Sequence, residues 1–343
     1  GEMGRLTEKG IRISPENLKI SDKAITCMPY HKLMDCMEEE RLADKKFGST
    51  RRGIAPVYAD KYMKKALRME DLLHLDDLAE KVHDIVEWKN ITVTGYGHEP
   101  IKAEDMMDWL RKFGTQLIPY ITDVSEYLHN AMEAGKNIMF EAQLGALRDI
   151  DLGIYPYTSS SSTIAAYAPI GAGIPGAKLT DTIGIMKAYS TCVGEGPFTA
   201  EMFGDEAEAL RKAGGEYGAA TGRPRRVGPF DIPASRYGVK VQGATEIALT
   251  KLDVLSYLDR IPVCVAYDVD GEKTVNFPTG ERLNRAKPVV EYLPGFGDVS
   301  KCRTWDSLPE AAKNYVRYLE KAVGCKISYV SVGAGRDEYV KIG

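Results

Sequence analysis

The sequence predicts an α/β protein with a mostly parallel central sheet flanked by helices. Three observations carry the prediction. Short apolar runs, such as residues 244–249 and 327–332, alternate with amphipathic helical patterns, such as 72–86 and 308–323. Polar, glycine-rich loops gather where those runs end, and open α/β sheets bind ligands outside the carboxyl ends of their strands. A chain of 343 residues with 44% hydrophobic content is long and apolar enough for a large core. No internal repeat or linker marks a boundary, so residues 1–343 are expected to form a single domain.

Composition narrows the function classes. A formal charge of −4 and an isoelectric point near 5.9 argue against nucleic-acid or membrane-surface binding, which needs a basic excess. No apolar run approaches the roughly 18 residues of a membrane span. The start, Gly1-Glu2-Met3-Gly4-Arg5, lacks a signal-peptide pattern, so the expected location is cytoplasmic. The six cysteines form no Cys-x-x-Cys pair, and the histidines cluster with none of them, so neither structural zinc nor a disulfide framework is expected.

Along the chain, residues 4–9 read as the end of a helix stopped by Gly10, and 30–47 as a helix. The latter runs into Gly48-Ser49-Thr50-Arg51-Arg52-Gly53, where backbone N–H groups, hydroxyls and guanidinium groups suit a phosphate, or else form a basic turn before Pro56. Residues 72–86 and 103–134 carry apolar residues at helical steps. The Met106, Trp109, Phe113 and Leu117 stripe of the second is a core face rather than a cofactor box. Residues 137–141 read as a short buried strand leading to Arg148-Asp149-Ile150-Asp151. The hydroxyl-rich tract 155–163, hemmed by aromatic and apolar residues, suits a fixed loop better than a linker.

Residues 182–193 read as a strand, 194–198 as a turn and 205–213 as a short charged helix. The loop 215–228 then packs four glycines and three arginines, Arg223, Arg225 and Arg226, into fourteen residues of an acidic protein. Glycine permits close backbone approach and arginine forks match carboxylate or phosphate oxygens, so this is an expected anion-binding loop, the alternative being a solvated basic hairpin. After the run 244–249 comes Thr250-Lys251-Leu252-Asp253. A carboxylate at a strand end can accept two hydrogen bonds from the N1–H and exocyclic amine of guanine, a pair adenine lacks, while a lysine two residues earlier can lay its stem on the purine. Residues 261–268 and 273–277 read as a hairpin through Asp270-Gly271. The strand 327–332 ends in Gly333-Ala334-Gly335, where the other wall of a guanine pocket is expected. No Gly-x-x-x-x-Gly-Lys-Ser/Thr cradle, Asp-rich metal loop, His-centred constellation or activated nucleophile is present in the sequence.

Taken together, Gly48–Pro56, Asp149-Ile150-Asp151 with Tyr155-Pro156-Tyr157, Lys187–Thr191 with Val193–Phe198, the 219–228 loop and Thr250–Asp253 resemble the adenylosuccinate synthetase family from Gly1 to about Val340. The resemblance implies an α/β fold with G-protein-like guanine-binding elements, a homodimer, and formation of adenylosuccinate from IMP and L-aspartate. GTP, with magnesium, would phosphorylate the purine 6-oxygen, and the aspartate amine would displace that phosphate. It further implies IMP contacts from Thr50, Lys64, Gln143, Thr158, Ser159 and Arg223. Lys64 would reach across the dimer and stands where the family usually has arginine, and Ala142-Gln143-Leu144-Gly145 departs by one residue from the family's Gly-Ala-Gln-Gly. Aspartate contacts would come from Ala219, Ala220, Thr221, Gly222, Arg223 and Arg225, and GTP contacts from Arg225, Lys251, Leu252, Asp253, Ser331, Val332 and Gly333. The family's catalytic aspartate and histidine, phosphate loop, first strands and magnesium ligand match nothing in these residues. The expectation is therefore an N-terminally truncated synthetase with no catalytic or metal-binding residue of its own, inactive alone. Two alternatives remain: a non-catalytic guanine-nucleotide-binding or regulatory paralogue, and another phosphate-handling ligase.

Overall fold

Where the sequence shows no boundary, the packing of the chain gathers into two units: residues 1–141 with 159–161 and 168–177, and residues 142–158, 162–167 and 178–343. The computed structural model describes every residue except 142–143 and 219–221.

The first unit is largely helical. Its elements are α1 (Glu2–Glu8), β1 (Ile20–Ser21), α2 (Pro29–Leu42), α3 (Ile54–Met63), α4 (Ala79–Gly95), α5 (Ala103–Trp109), β2 (Ile121–Thr122), α6 (Val124–Glu133) and the short α7 (Ala168–Gly171). Pro29 opens α2, where its fixed φ and missing N–H cost nothing. Asp123 caps α6 by accepting from Glu126 N–H at 3.0 Å. The core gathers Met28, Leu67, Leu72, Val82 and Leu110, all buried. The single helix expected over 103–134 is broken. After α5 come a π turn at Leu110–Gly114 and a 3-10 turn at Thr115–Tyr120 holding Pro119, and then β2, which pairs in parallel with β1. Proline lacks the N–H a continuous helix requires there. The strand expected at 137–141 does not form. Met139 is 90% exposed, and without a strand partner an apolar run has no ladder to join.

The second unit holds two four-stranded sheets. One runs β12-β11-β7-β3, where β3 is Ile183–Lys187, β7 Glu246–Thr250, β11 Lys326–Ser331 and β12 Tyr339–Lys341. β3, β7 and β11 are parallel and β12 is antiparallel, which fits the expected mostly parallel sheet. The strand expected over 182–193 is interrupted at Ala188-Tyr189; its second part, β4 (Ser190–Cys192), pairs with β5 (Arg226–Gly228). The other sheet departs from the expectation. β8 (Arg260–Val269) runs antiparallel to β9 (Glu272–Thr274) and β10 (Lys287–Pro294), and only β6 (Phe230–Asp231) lies parallel to it. The turn between β8 and β9 uses Asp270 and Gly271, both at positive φ, as a tight hairpin requires.

Helices α8 (Gly204–Gly214), α9 (Ile232–Gln242), α10 (Glu281–Asn284) and α11 (Glu310–Val323) complete the unit. α11 buries Ala312, Tyr315, Val316, Leu319 and Val323, a stripe at three- and four-residue steps, in the same core as Ile247, Leu249, Ile327 and Val330 of the parallel sheet. Each fully buried aliphatic side chain of that set contributes about 2 kcal/mol of burial, before the entropy of ordering is subtracted.

Two features of this unit yield expectations. Among the described residues no further strand pairs with the outer side of β3, where Ile185 is 70% exposed. An apolar strand edge is a template for pairing with another chain. The protein is therefore expected to associate beyond a dimer on concentration, and Ile185→Lys to suppress this, as light scattering would show; a wild type that stays at or below a dimer at high concentration contradicts it. The second concerns Asp231, which caps α9 through Ala234 N–H at 3.1 Å and accepts from Tyr267 Oη at 2.6 Å. Burial pushes its carboxyl up to about 6, against 3.8 in the unfolded chain. The native state thus binds the proton more tightly, and stability attributable to this group increases as pH falls from about 6 to about 3.8. Urea denaturation should show the stability difference between wild type and Asp231→Asn moving in favour of wild type from pH 7 to pH 4. A pH-independent difference contradicts it.

Candidate functional site

In the first unit the candidate loop is 48–53. Glu39 of α2 is buried, and its carboxylate accepts from the N–H groups of Phe47, Gly48 and Ser49, each at 3.1 Å. Asp35 accepts from Ser49 Oγ at 2.7 Å and Gly53 N–H at 2.8 Å. The backbone donors expected to face a phosphate are therefore turned inward onto carboxylates, which shape the loop. Gly53 is required, since its φ is +85° and a Cβ would stand 2.7 Å from the His31 backbone. Thr50, Arg51 and Arg52 are left exposed on the outside. Below the loop His31 Nδ1 accepts from Met28 N–H at 2.9 Å, so its Nε2–H donates to Asp60 at 2.8 Å. Lys89 bonds the other Asp60 oxygen, and all three side chains are buried. Burial alone would raise the Asp60 carboxyl, but His31 and Lys89 outweigh it and hold it low. Lys64 ends α3 in a left-handed conformation, exposed beside the exposed Tyr62 and Met63.

In the second unit, Asp149 does not present a polar site at a strand end. Buried, it accepts from the N–H groups of Asp151 (3.0 Å), Leu152 (2.9 Å) and Thr163 (2.7 Å), and so holds the surrounding loops. Thr158, of this unit, and Ser159, of the first, are half-buried; Ser159 Oγ lies 3.2 Å from Ser161 Oγ. Gln143, Ala219, Ala220 and Thr221 lie outside the described residues.

The loop after β7 and the arginine loop meet on one residue that the sequence did not single out, Glu216. Its carboxylate is fully buried and accepts from Lys187 at the end of β3 (2.8 Å), Lys251 (3.1 Å), Arg225 (2.8 Å) and the Tyr189 hydroxyl. Burial would raise its pKa, but the hydrogen bonds from Lys187, Tyr189 and Lys251 prevail and hold it at about 2. Three cations thus face one buried carboxylate, and the site stays positive even with Asp253 counted in. Burial lowers the Lys187 ammonium from its usual range. Arg225 Nε is buried without a hydrogen-bond partner among the described residues.

Lys251 itself sits at φ +61°, ψ +35°, a left-handed conformation costly for a side chain of its size, and its ammonium also donates to Gly214 O at 2.6 Å. Two residues on, Asp253 Oδ1 is buried with no hydrogen-bond partner among the described residues, and burial raises the carboxyl above its usual range. A buried acceptor left unpaired costs about 1–3 kcal/mol, so a ligand donor there would be strongly favoured. The side chains of Leu252 and Val332 are fully buried in the core, so any contact they make with a ligand is through backbone. Beside β7, the end of β11 turns back. Ser331 Oγ donates to Gly333 O at 2.9 Å, and Glu338 Oε2 accepts from Gly335 N–H at 2.6 Å.

The remaining arginines divide. Arg226 pairs with Glu201 at 2.5 Å and donates to Gly196 O at 2.8 Å, fixing the 194–198 turn. It is thus committed inside the protein. Arg223, beyond the positive-φ Gly222, is exposed and lies 3.4 Å from Glu195.

Comparison with known proteins now decides the family. The family model for adenylosuccinate synthetase matches residues 1–340. The chain belongs to the adenylosuccinate synthetase family. The synthetase of Lactococcus lactis subsp. lactis is 42% identical over 341 residues, 98% of this chain and 79% of that protein. The Bifidobacterium adolescentis synthetase is 41% identical, covering 99% of this chain and 80% of that protein. A fully ligated adenylosuccinate synthetase structure from Plasmodium falciparum superposes with a TM-score of 0.93 at 31% identity, over 99% of this chain and 81% of that one. The alignments take in nearly all of this chain and about four fifths of each relative's own length, and the N-terminal truncation expected from the sequence is not shown by them.

Proposed function

We propose that this member of the adenylosuccinate synthetase family forms adenylosuccinate from IMP, L-aspartate and GTP, and that its guanine reader is the loop Thr250–Asp253. The observation that carries the reading is the buried, unpartnered Asp253 Oδ1 at the end of β7. Guanine brings two N–H donors to such a carboxylate. Adenine brings an acceptor at N1, so a buried carboxylate facing it is left unpaired. The backbone of Leu252 and 331–333 would wall the base. Arg225 beside Glu216 would face GTP or the aspartate carboxylates, with Arg223, Gly222 and the loop 219–221 completing the aspartate and IMP contacts. Thr50, Gln143, Thr158 and Ser159 are the other proposed IMP contacts. Identity of 42% with a curated synthetase over nearly the whole chain favours an enzyme over a binding-only paralogue.

The chemistry proposed for the pair of steps is phosphorylation of the IMP 6-oxygen by GTP and displacement of that phosphate by the aspartate amine. This chain's groups bind, orient and neutralise. Arginine forks and lysine ammonium groups hold anionic oxygens, and the buried environment of Glu216 strengthens each of those contacts. Magnesium normally accompanies such a nucleotide. Among the described residues, the one group of His, Cys, Asp and Glu within reach of a shared ion is His83, Asp84 and Glu87, exposed on α4. Those residues do not form a nucleotide-phosphate metal site, and no step is assigned through a metal. A homodimer in which Lys64 reaches the partner's IMP is part of the proposal, supported by the exposed Lys64, Tyr62 and Met63. Cytoplasmic location is proposed as well; no helix of the described residues is long and apolar enough to cross a membrane.

Asp253→Asn is the test of the reading. It replaces an acceptor by an amide that meets the guanine amine with a donor, so KM for GTP should rise about 100-fold, the equivalent of about 3 kcal/mol. Xanthosine triphosphate, which carries a carbonyl where guanine carries its amine, should recover part of that loss. A KM for GTP unchanged by the substitution rules the reading out.

A further inference from the structure

We propose that Glu216 is a positioning residue that fixes Lys251 of the base-reading loop and Arg225 of the arginine loop on one buried carboxylate, so that the two loops hold their ligand-binding geometry together. The proposal rests on the reading of Thr250–Asp253 as a guanine reader, and it concerns a residue that touches no substrate in that reading.

The geometry points this way in four respects. Glu216 is fully buried, yet both its oxygens are used: Oε1 accepts from Lys187, Lys251 and Tyr189, and Oε2 from Arg225. Its donors come from four separate places, the end of β3, the turn before β4, the loop after β7 and the strand entry at 225, so one carboxylate ties together segments far apart in sequence. Its own backbone is pinned, with Glu216 N–H on Arg211 O at 2.9 Å and Glu216 O accepting from Arg225 N–H at 2.9 Å, so the carboxylate cannot follow a drifting partner. Finally, Lys251 holds a left-handed backbone that nothing in its own side chain favours. Among the described residues its ammonium is secured by Gly214 O and Glu216, and Asp253 lies two residues beyond. Without the carboxylate, three cations would face one another half-buried, and their repulsion would drive Lys251 and Arg225 outward.

A bland alternative is that Glu216 stabilises the fold and nothing more. The two differ in what a charge-removing substitution does to a well-folded protein. Titration calorimetry of the full chain with GDP, alongside thermal melting, separates them. Glu216→Gln keeps the shape and removes the charge, and it should weaken GDP binding tenfold or more. Glu216→Asp keeps the charge but falls one methylene short of the amines. It should bind GDP between three and ten times more weakly than wild type, a partial rescue that a packing role would not produce. If both variants melt like wild type and bind GDP within threefold of it, the proposal is overturned. If the Gln variant does not fold, the Asp variant decides alone, and wild-type affinity in it is equally fatal. Failure of the underlying reading shows separately: wild type would then bind ADP as well as GDP, whatever the Glu216 variants do.

Discussion

A buried carboxylate must find donors, and among the described residues Glu216 finds four. Most of what makes the second unit a candidate nucleotide site follows from that constraint. Lys187, Tyr189, Arg225 and Lys251 are brought to one point because the buried charge is tolerable only when its lone pairs are filled. The group is held ionised, at about 2, so the attraction persists at any physiological pH. Because the cations outnumber the carboxylate, the cluster is self-consistent inside the protein and remains attractive to an anion outside it.

The same device recurs at other loops. Glu39 gathers three consecutive N–H groups at the start of the 48–53 loop, Asp35 closes that loop at Gly53, and Asp149 gathers three N–H groups from two segments. In each case an acid that reads as surface charge in the sequence is buried or nearly so, and it replaces the backbone partners an irregular loop lacks. A loop held in this way presents a fixed set of outward groups, as the 48–53 loop presents Thr50, Arg51 and Arg52. The outward faces of these loops are therefore set from beneath by buried carboxylates.

This explains what was legible from the sequence. Periodicity located α11, because its apolar stripe is continuous, and the Asp270-Gly271 hairpin, because only certain residues accept positive φ at both turn positions. The proposed base-reading loop was legible because its chemistry is local: a carboxylate two residues from a lysine at a strand end. Periodicity misread 103–134, where Pro119 ends a pattern that side chains alone continue, and 137–141, where strand formation depends on a neighbour that the sequence does not name. Glu216 was missed because its role exists only through space. Its one available signal was that it is the sole acid in a loop crowded with glycine and arginine, an isolated negative charge where positive charge accumulates. The arginines of that loop were read as a set, whereas Glu201 and Glu216 claim two of them from below.

The central claim is that Glu216 acts on nucleotide through Lys251, and a double-mutant cycle measures it directly. GDP affinity would be determined for wild type, Glu216→Gln, Lys251→Met and the double variant. If the carboxylate works by placing the lysine, the Glu216 substitution costs little once the lysine is gone, and the double variant binds about as weakly as Lys251→Met alone. Losses that simply multiply would mean the two residues act independently, and would contradict the account.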